Sequence, residues 1–441
     1  MKIEDLISKL PPMKTGAELT KALEDIPTYS EDVRNADTTT RLMLLSELYN
    51  IYIPTSMSHE IYSKLYLAMI RSLQKKCSQQ AILQRYENNA AIIGQEYRGI
   101  IGGADSFTII GESGIGKSSA ISRAVSLMTE NIIISTVNPH SKIIPALTVQ
   151  CPFDSSVKGL LLEILRKTDE AIGSDYYSKA IKARTSTVDN LIGLVSTVCL
   201  SSISLLIVDE ISNVANSKNG KNLVGALTQL INSSGISICM VGTPECVPFF
   251  EQAMQLARRS VGLTCSKMSF DKNFEETCRI LFGYQYVKNK AELTPTLLHW
   301  LYEHSAGNIS VLVSLIHDAQ EIAILNGTET LNIASLTEAY NQRLSFLHDF
   351  IEPSITKRKQ TSKVKKQSIT STLPTVEHVP SQQSIFDTMQ TAKSEGKSVV
   401  KALKEFLCIE EIPILYPIFP NSILMSLFIV GFVGFIFTED I

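Results

Sequence analysis

Four short runs of the chain are almost wholly apolar and are bounded by polar or turn-forming residues. They are SFTII (Ser106–Ile110), ALTVQCPF (Ala146–Phe153), SISLLIVDE (Ser202–Glu210) and SICMVGTPE (Ser237–Glu245). Runs of that length read as buried strands. Between them the spacing changes to three and four, in AISRAVSLM, SSVKGLLLEILRK, Thr187–Val198 and Asn222–Ile231, which predicts helices. Strands that alternate with helices imply a parallel sheet with helices on both faces. After Phe270 the pattern turns helical, with Thr294–His304, Ser310–Leu325 and Ser335–Leu347 reading as a helical lid.

Upstream, Met1–Ala36 is polar and holds Pro11, Pro12 and Pro27, so a partly ordered arm is expected. Asp37 caps a short helix in RLMLLSELYN, and Ser58 caps a longer one. In that longer helix Ile61, Leu65, Met69 and Leu73 recur every four positions, and Arg71, Lys75 and Lys76 end it. A packing helix and a basic nucleic-acid surface are both open there.

The chemistry begins directly after SFTII. Gly111, Glu112, Ser113, Gly114, Ile115, Gly116, Lys117, Ser118 and Ser119 read GESGIGKSS and match G-x-x-x-x-G-K-S/T between a strand and a helix. Gly111, Gly114 and Gly116 let the backbone curl so that successive N–H groups face one anion. The following helix adds its positive end. Lys117 reaches the β/γ-phosphates, and Ser118 offers a hydroxyl to Mg²⁺. LLIVDE brings Asp209 to the carboxyl edge of the sheet as a second Mg²⁺ holder, with Glu210 as the group that polarises an attacking water. Thr243, after the next strand, is a candidate phosphate sensor. Arg258 and Arg259 in QLARRSVG are candidates for stabilising transition-state charge in a neighbouring copy's site. The expected cofactors are ATP and Mg²⁺.

Charge is uneven along the chain. Pro353–Cys408 holds ten basic and four acidic residues within a chain of net charge −3. Its Ser/Thr/Gln/Lys-rich part reads as a flexible basic linker. None of the eight cysteines forms a C-x-x-C pair, and they read as reduced thiols. The seven histidines show no pairing with cysteine or carboxylate at metal-ligand spacing. MKIEDLISKLPP lacks an apolar h-region, so no secretory signal is expected. Ile412–Thr438 carries no charge, and Asn421–Phe437 lies at the short end of the range for a membrane-spanning helix.

Taken together, GESGIGKSS, LLIVDE, VGTPE, the ARRS pair and the helical lid resemble an AAA+ ATPase. Within that superfamily the layout is similar to transposon-encoded target-selection regulators of the TnsC/TniB type. RLMLLSELYNIYIPTSMSHEIYSKLYLAMI and VQCPFDSSVKGLLLEIL carry that closer resemblance, which covers about Arg41–Leu347. It implies the α/β AAA+ P-loop fold, a parallel sheet flanked by helices plus a C-terminal helical lid. It also implies an ATPase that assembles on duplex DNA as a ring or filament, links a target-site selector to a transposase, and is disassembled by hydrolysis. By the same resemblance Lys142 and Lys158 contact the DNA backbone. The lid stretch SAGNIS has Asn308 where many such proteins carry a nucleotide-touching arginine, so lid closure driven by nucleotide is expected to be weak.

The implied organisation is an N-terminal helical region (1–78), a nucleotide-binding domain (79–270), a lid (271–350), a basic linker (351–384) and a tail (385–441) that docks partners. A cytoplasmic, DNA-associated protein is expected. The competing readings are a membrane-anchored ATPase of a secretion or signalling system, using the apolar tail, and a slow signalling switch.

Overall fold

A strand whose side chains meet apolar atoms on both faces needs no polar alternation. That is the state of β1 (Phe107–Gly111), β4 (Ile203–Asp209) and β5 (Ser237–Gly242), which are buried along almost their whole length. With β2 (Ile134–Thr136), β3 (Ser141–Gln150) and β6 (Leu263–Cys265) they form one sheet in the order β2-β3-β4-β5-β1-β6. All pairs are parallel except β2 with β3. The computed structural model describes residues 3–92, 101, 106–136, 141–182, 187–213, 217–252 and 262–344. The chain divides into compact units Met1–Lys359 and Gln360–Ile441, and the described residues all fall in the first. The basic linker, the apolar tail and Arg258 and Arg259 lie outside them.

The helices before the sheet are α1 (Ile3–Ile7), α2 (Gly16–Leu23), α3 (Thr38–Leu44), α4 (Ser56–Lys76) and α5 (Gln79–Ile92). Within it come α6 (Lys117–Thr129), α7 (Val157–Ile172), α8 (Tyr176–Lys182), α9 (Val188–Ser202), α10 (Gly220–Ser234) and α11 (Val247–Gln252). The lid is α12 (Lys272–Gly283), α13 (Pro295–Ser305), α14 (Ile309–Leu325) and α15 (Ile333–Ala339). Strand alternation sorts the sheet's side chains into two layers. Leu206 and Val208 pack with α7, α9 and α10, whereas Leu205 and Ile207 pack with α4 and α6. The fold class is therefore the expected one, a mostly parallel sheet flanked by helices.

Several expectations are corrected. The second strand starts five residues before Ala146 because β2 pairs with Ser141–Ile143, and it stops at Gln150. Cys151–Phe153 instead enters a turn closed by the amide of Ser155 on the carbonyl of Pro152, 2.9 Å. Ser58 is not the cap of α4. Thr55 is, and the two form a reciprocal capping box. Met1–Ala36 is no loose arm in its described part. Leu6, Leu10, Leu19 and Leu23 are buried in one apolar cluster with α4 and α6. α4 itself keeps Ile61, Leu65, Met69 and Leu73 fully buried, each worth about 1.5–3 kcal/mol of transfer free energy. Lys76 is also buried, and its ammonium donates to the carbonyls of Cys199 and Leu200 at the end of α9. It is not part of a basic surface.

The lid core takes in Leu45 and Leu48 from the turn after α3. Arg41 of α3, 1% exposed, makes a bidentate pair with Glu329 (2.7 and 2.7 Å) and donates to the carbonyl of Tyr286 at 3.0 Å. Trp300 lies against this lid core, stacked on His304. Contrary to the expectation for histidine, His317 stands beside Asp318 and Glu321 on α14. Arg343 pairs with both of those carboxylates, so the group is an ion-pair knot.

Candidate functional site

β1 ends at Gly111, and the backbone turns through Gly114 (φ +80°) and Gly116 (φ +93°) into α6. Both angles lie in the left-handed region that glycine enters freely. Gly111 has a different reason to be glycine. A Cβ there would meet the carbonyl of Cys265 on β6 at 2.6 Å. The loop thus delivers the amino end of α6, with its unpaired N–H groups, to the carboxyl edge of the sheet.

Lys117 folds along the loop and donates to the carbonyls of Gly111 (2.7 Å) and Glu112 (2.6 Å). Burial pulls its ammonium below the ordinary lysine range. β4 runs in register with β3, Val208 facing Val149, and sets Asp209 next to the loop. Ser118 Oγ donates to Asp209 Oδ2 at 3.0 Å, and the amide of Glu210 donates to Asp209 Oδ1 at 2.8 Å. Two hard oxygen donors at that spacing suit Mg²⁺, because adjacent ligands of an octahedron with ~2.0–2.1 Å bonds are about 2.9 Å apart. Ser118 and Asp209 are the residues that would hold it.

Glu210 has φ +57°, an uncommon conformation for a side chain other than Asn, Asp or Gly. β5 lies between β4 and β1, so Thr243 follows the strand next to Asp209. Its amide donates to Ser212 Oγ at 2.9 Å. Its hydroxyl is 3.0 Å from Ser212 Oγ and 2.9 Å from the Glu245 carboxylate. Lys117, Ser118, Ser119, Asp209, Glu210 and Thr243 all line one cavity of about 870 Å³. Lys142 is engaged elsewhere, donating to the carbonyl of Ile172 at the end of α7 (2.8 Å). Lys158 stands exposed on the first turn of α7, and Phe153 in the preceding loop is 89% exposed.

Sequence reasoning missed several residues of this cavity. Tyr49–Ser58 runs along its mouth, with Ile51, Tyr52, Ile53 and Met57 facing in. Ser212 holds Thr243. From the lid, Asn308 caps α14 with its Oδ1 and donates through Nδ2 to the carbonyl of Ser113 at 2.9 Å, while the amide of Ser310 donates to Gly114 O at 3.0 Å. Lys267, between β6 and α12, pairs with Glu112 of the phosphate loop at 2.6 Å. Of these, Asn308 stands out in the sequence only as the place in SAGNIS where an arginine is missing, and its bond to Ser113 has no local signal.

Among solved structures, the chain is similar to the Orc1 protein of Aeropyrum pernix in complex with DNA: 16% identity, 59% of this chain, 64% of that one, TM-score 0.37. The match thus spans less than two thirds of the Orc1 chain. Domain III of the Thermotoga maritima replication initiation protein DnaA is matched at 16% identity over 63% of this chain and 94% of that one, TM-score 0.31. A structure of katanin self-assembly is matched at 14% identity over 75% and 94%, TM-score 0.35. The architecture rests on the sheet order above and not on these scores. No curated protein matched. Residues 102–268, which build both halves of the site, match the family model described as "Bacterial TniB protein", and over that region the chain is similar to the TniB family.

Proposed function

We propose that this chain is a Mg²⁺-dependent ATPase of DNA transposition that assembles with copies of itself on duplex DNA. In this reading it joins a target-site selector to a transposase and is released by hydrolysis. The observation that carries the nucleotide part is the apposition of Ser118 and Asp209 beneath the glycine loop. The family match over 102–268 supports the transposition part.

The residues divide the work by what they can donate. Loop amides and the amino end of α6 bind the phosphates, and Lys117 leaves the carbonyls of Gly111 and Glu112 for the β/γ oxygens. Mg²⁺ between Ser118 and Asp209 would offset charge on those oxygens. Glu210 accepts a proton from the attacking water and orients it, and Thr243 steadies the γ-phosphate.

Charge balance favours assembly. Among the described residues, the cavity lining holds two cations, Lys117 and Lys267, against the carboxylates Glu60, Asp209, Glu210 and Asp271. A triphosphate adds more negative charge than one Mg²⁺ offsets, so the site stays short of cations. Arg258 or Arg259 from a neighbouring copy supplies the deficit. On the DNA side, Lys158 remains a candidate contact and Lys142 is the weaker one, since its ammonium already caps α7.

The test is ATP turnover and electron microscopy of the full chain with duplex DNA and a non-hydrolysable ATP analogue. Glu210→Gln is expected to lower kcat by about 10²-fold while leaving assembly on DNA in place. Lys117→Ala is expected to abolish both nucleotide binding and assembly. Isolated particles in every condition, with normal ATP uptake, would sink the assembly half of the proposal.

A further inference from the structure

The lid of this chain has no arginine at SAGNIS, yet the lid and the hinge that leads into it (residues 266–271, between β6 and α12) grip the phosphate loop at three adjacent residues. Asn308 Nδ2 holds Ser113 O, the Ser310 amide holds Gly114 O, and Lys267 holds the carboxylate of Glu112. The first two grips leave the loop's inward N–H groups untouched. The third is a cation placed beside a polyphosphate site that is short of positive charge.

Lys267 sits on a segment with little freedom. It follows β6, which is fixed to β1 by register. Its neighbour Met268 donates its amide to Gly307 O at 3.0 Å, and a Cβ on Gly307 would strike the carbonyl of Met268 at 2.0 Å. The backbone of the hinge is therefore pinned at both sides of Lys267, and only the side chain is free to move. Residues 263–269, Lys267 among them, line two cavities, the 870 Å³ nucleotide cavity and a second of about 710 Å³ between β6, Pro244 and α13. Glu112 lines the second and not the first. The ion pair thus forms part of the wall between them, with Lys267 able to turn to either side.

We propose that Lys267 is the second cation contributed by this chain to the triphosphate, held in reserve by Glu112 and drawn off it when ATP enters. This inference rests on the nucleotide-site reading above. Among the described residues no lid arginine lines the nucleotide cavity, and Lys267 takes that place from the base of the lid. Release of Glu112 also loosens one of the three grips on the phosphate loop, so that nucleotide occupancy reaches the hinge through one side chain. ADP, with less charge and no γ-phosphate, draws Lys267 less.

The experiment measures binding of fluorescent ATP and ADP to the full chain and to three variants, with thermal melts to confirm folding. Lys267→Met is expected to weaken ATP binding about tenfold and ADP binding less. Lys267→Arg is expected to hold ATP within about threefold of the parent, since it keeps the charge. Glu112→Gln frees the lysine and is expected to tighten ATP binding a few-fold. A merely structural brace gives the opposite sign, with Glu112→Gln and Lys267→Met weakening ATP alike, and that result overturns the proposal. Unchanged ATP binding in folded Lys267→Met overturns it as well. A parent protein that takes up no nucleotide would instead overturn the site reading on which the inference stands.

Discussion

The N-terminal region is fastened to the rest of the molecule in two different ways. Against the sheet it uses a broad apolar seam, in which Leu6, Leu19 and Leu23 and one whole face of α4 meet α6 and the strands. Against the lid it adds polar clasps to a smaller apolar contact. These are Arg41 on Glu329 and Tyr286, Tyr29 on the carbonyl of Gln285, and Tyr284 on the carbonyl of Pro27. An apolar seam is tolerant, because its energy is shared over many contacts and any one of them is replaceable. A buried clasp is brittle, because loss of one partner strands the other without water. The sheet side is thus built to stay, whereas the lid side holds by a few discrete pairs.

Removing Arg41 is the largest test of that contrast. Arg41→Met leaves the Tyr286 carbonyl without its guanidinium donor and the Glu329 carboxylate with only the Lys288 amide, and a loss of about 3 kcal/mol is expected in denaturant melts. Arg41→Lys should recover little of it, since a single ammonium does not reproduce the bidentate geometry. A cost below about 1 kcal/mol for Arg41→Met would show that the lid side is as tolerant as the sheet side.

The sheet side has polar contacts too, such as Arg123 with Asp25 and Lys9 on the carbonyl of Ser135, and its most deeply buried one is Lys76, where α4 ends. Burial pulls its ammonium down to about 7, while burial pushes the neighbouring Cys199 thiol up to about 12 and raises Cys77. Below about pH 7 the native and unfolded chains both hold the proton, and the full cost of burying the charge is present. Between about 7 and the ordinary lysine value of 10.5 only the unfolded chain holds it, so stability rises with pH and then levels off. The slope is expected to reach at most about 1.4 kcal/mol per pH unit. Lys76→Met should flatten it and give its greatest stabilisation at pH 7 and below. A series of melts from pH 6 to 10 on both proteins would decide it, and an identical slope in the two would assign the effect to another group.

The smallest effect expected is that of Asn308→Ala, which removes both the cap of α14 and the bond to Ser113. About 1 kcal/mol of stability should be lost. Faster hydrogen exchange at the start of α14 is expected to accompany it, with the sheet unchanged. Exchange that quickened equally in α6 and β4 would mean that lid and sheet open together.

The same contrast decides what the sequence discloses. β1, β4 and β5 are legible because continuous burial leaves a continuous apolar run, and the phosphate loop is legible because its chemistry lies in nine adjacent residues. The apolar face of α4 is legible from its spacing. β6 has only three residues, Leu263–Cys265, and no periodicity to show. Leu6, Leu10, Leu19 and Leu23 straddle two prolines, so no single helical period joins them, and their order comes from α4 and α6, more than thirty residues away. Arg41 with Glu329, and Lys267 with Glu112, are pairings between distant positions whose residue types are ordinary surface types. Nothing local distinguishes them from solvated charges until the fold brings them together. Lys142 shows the converse, a lysine expected on a DNA-tracking loop that lies within β3 and is occupied by a helix end instead.

The backbone at Glu210 carries one more implication. A left-handed torsion would be comfortable for glycine, and the chain places a carboxylate there all the same. Stability and aim are in opposition at this residue. On the proposed reading, a glycine in its place should yield a tougher protein that has lost the carboxylate meant for the attacking water, so gains in robustness at this corner are expected to come with slower ATP turnover.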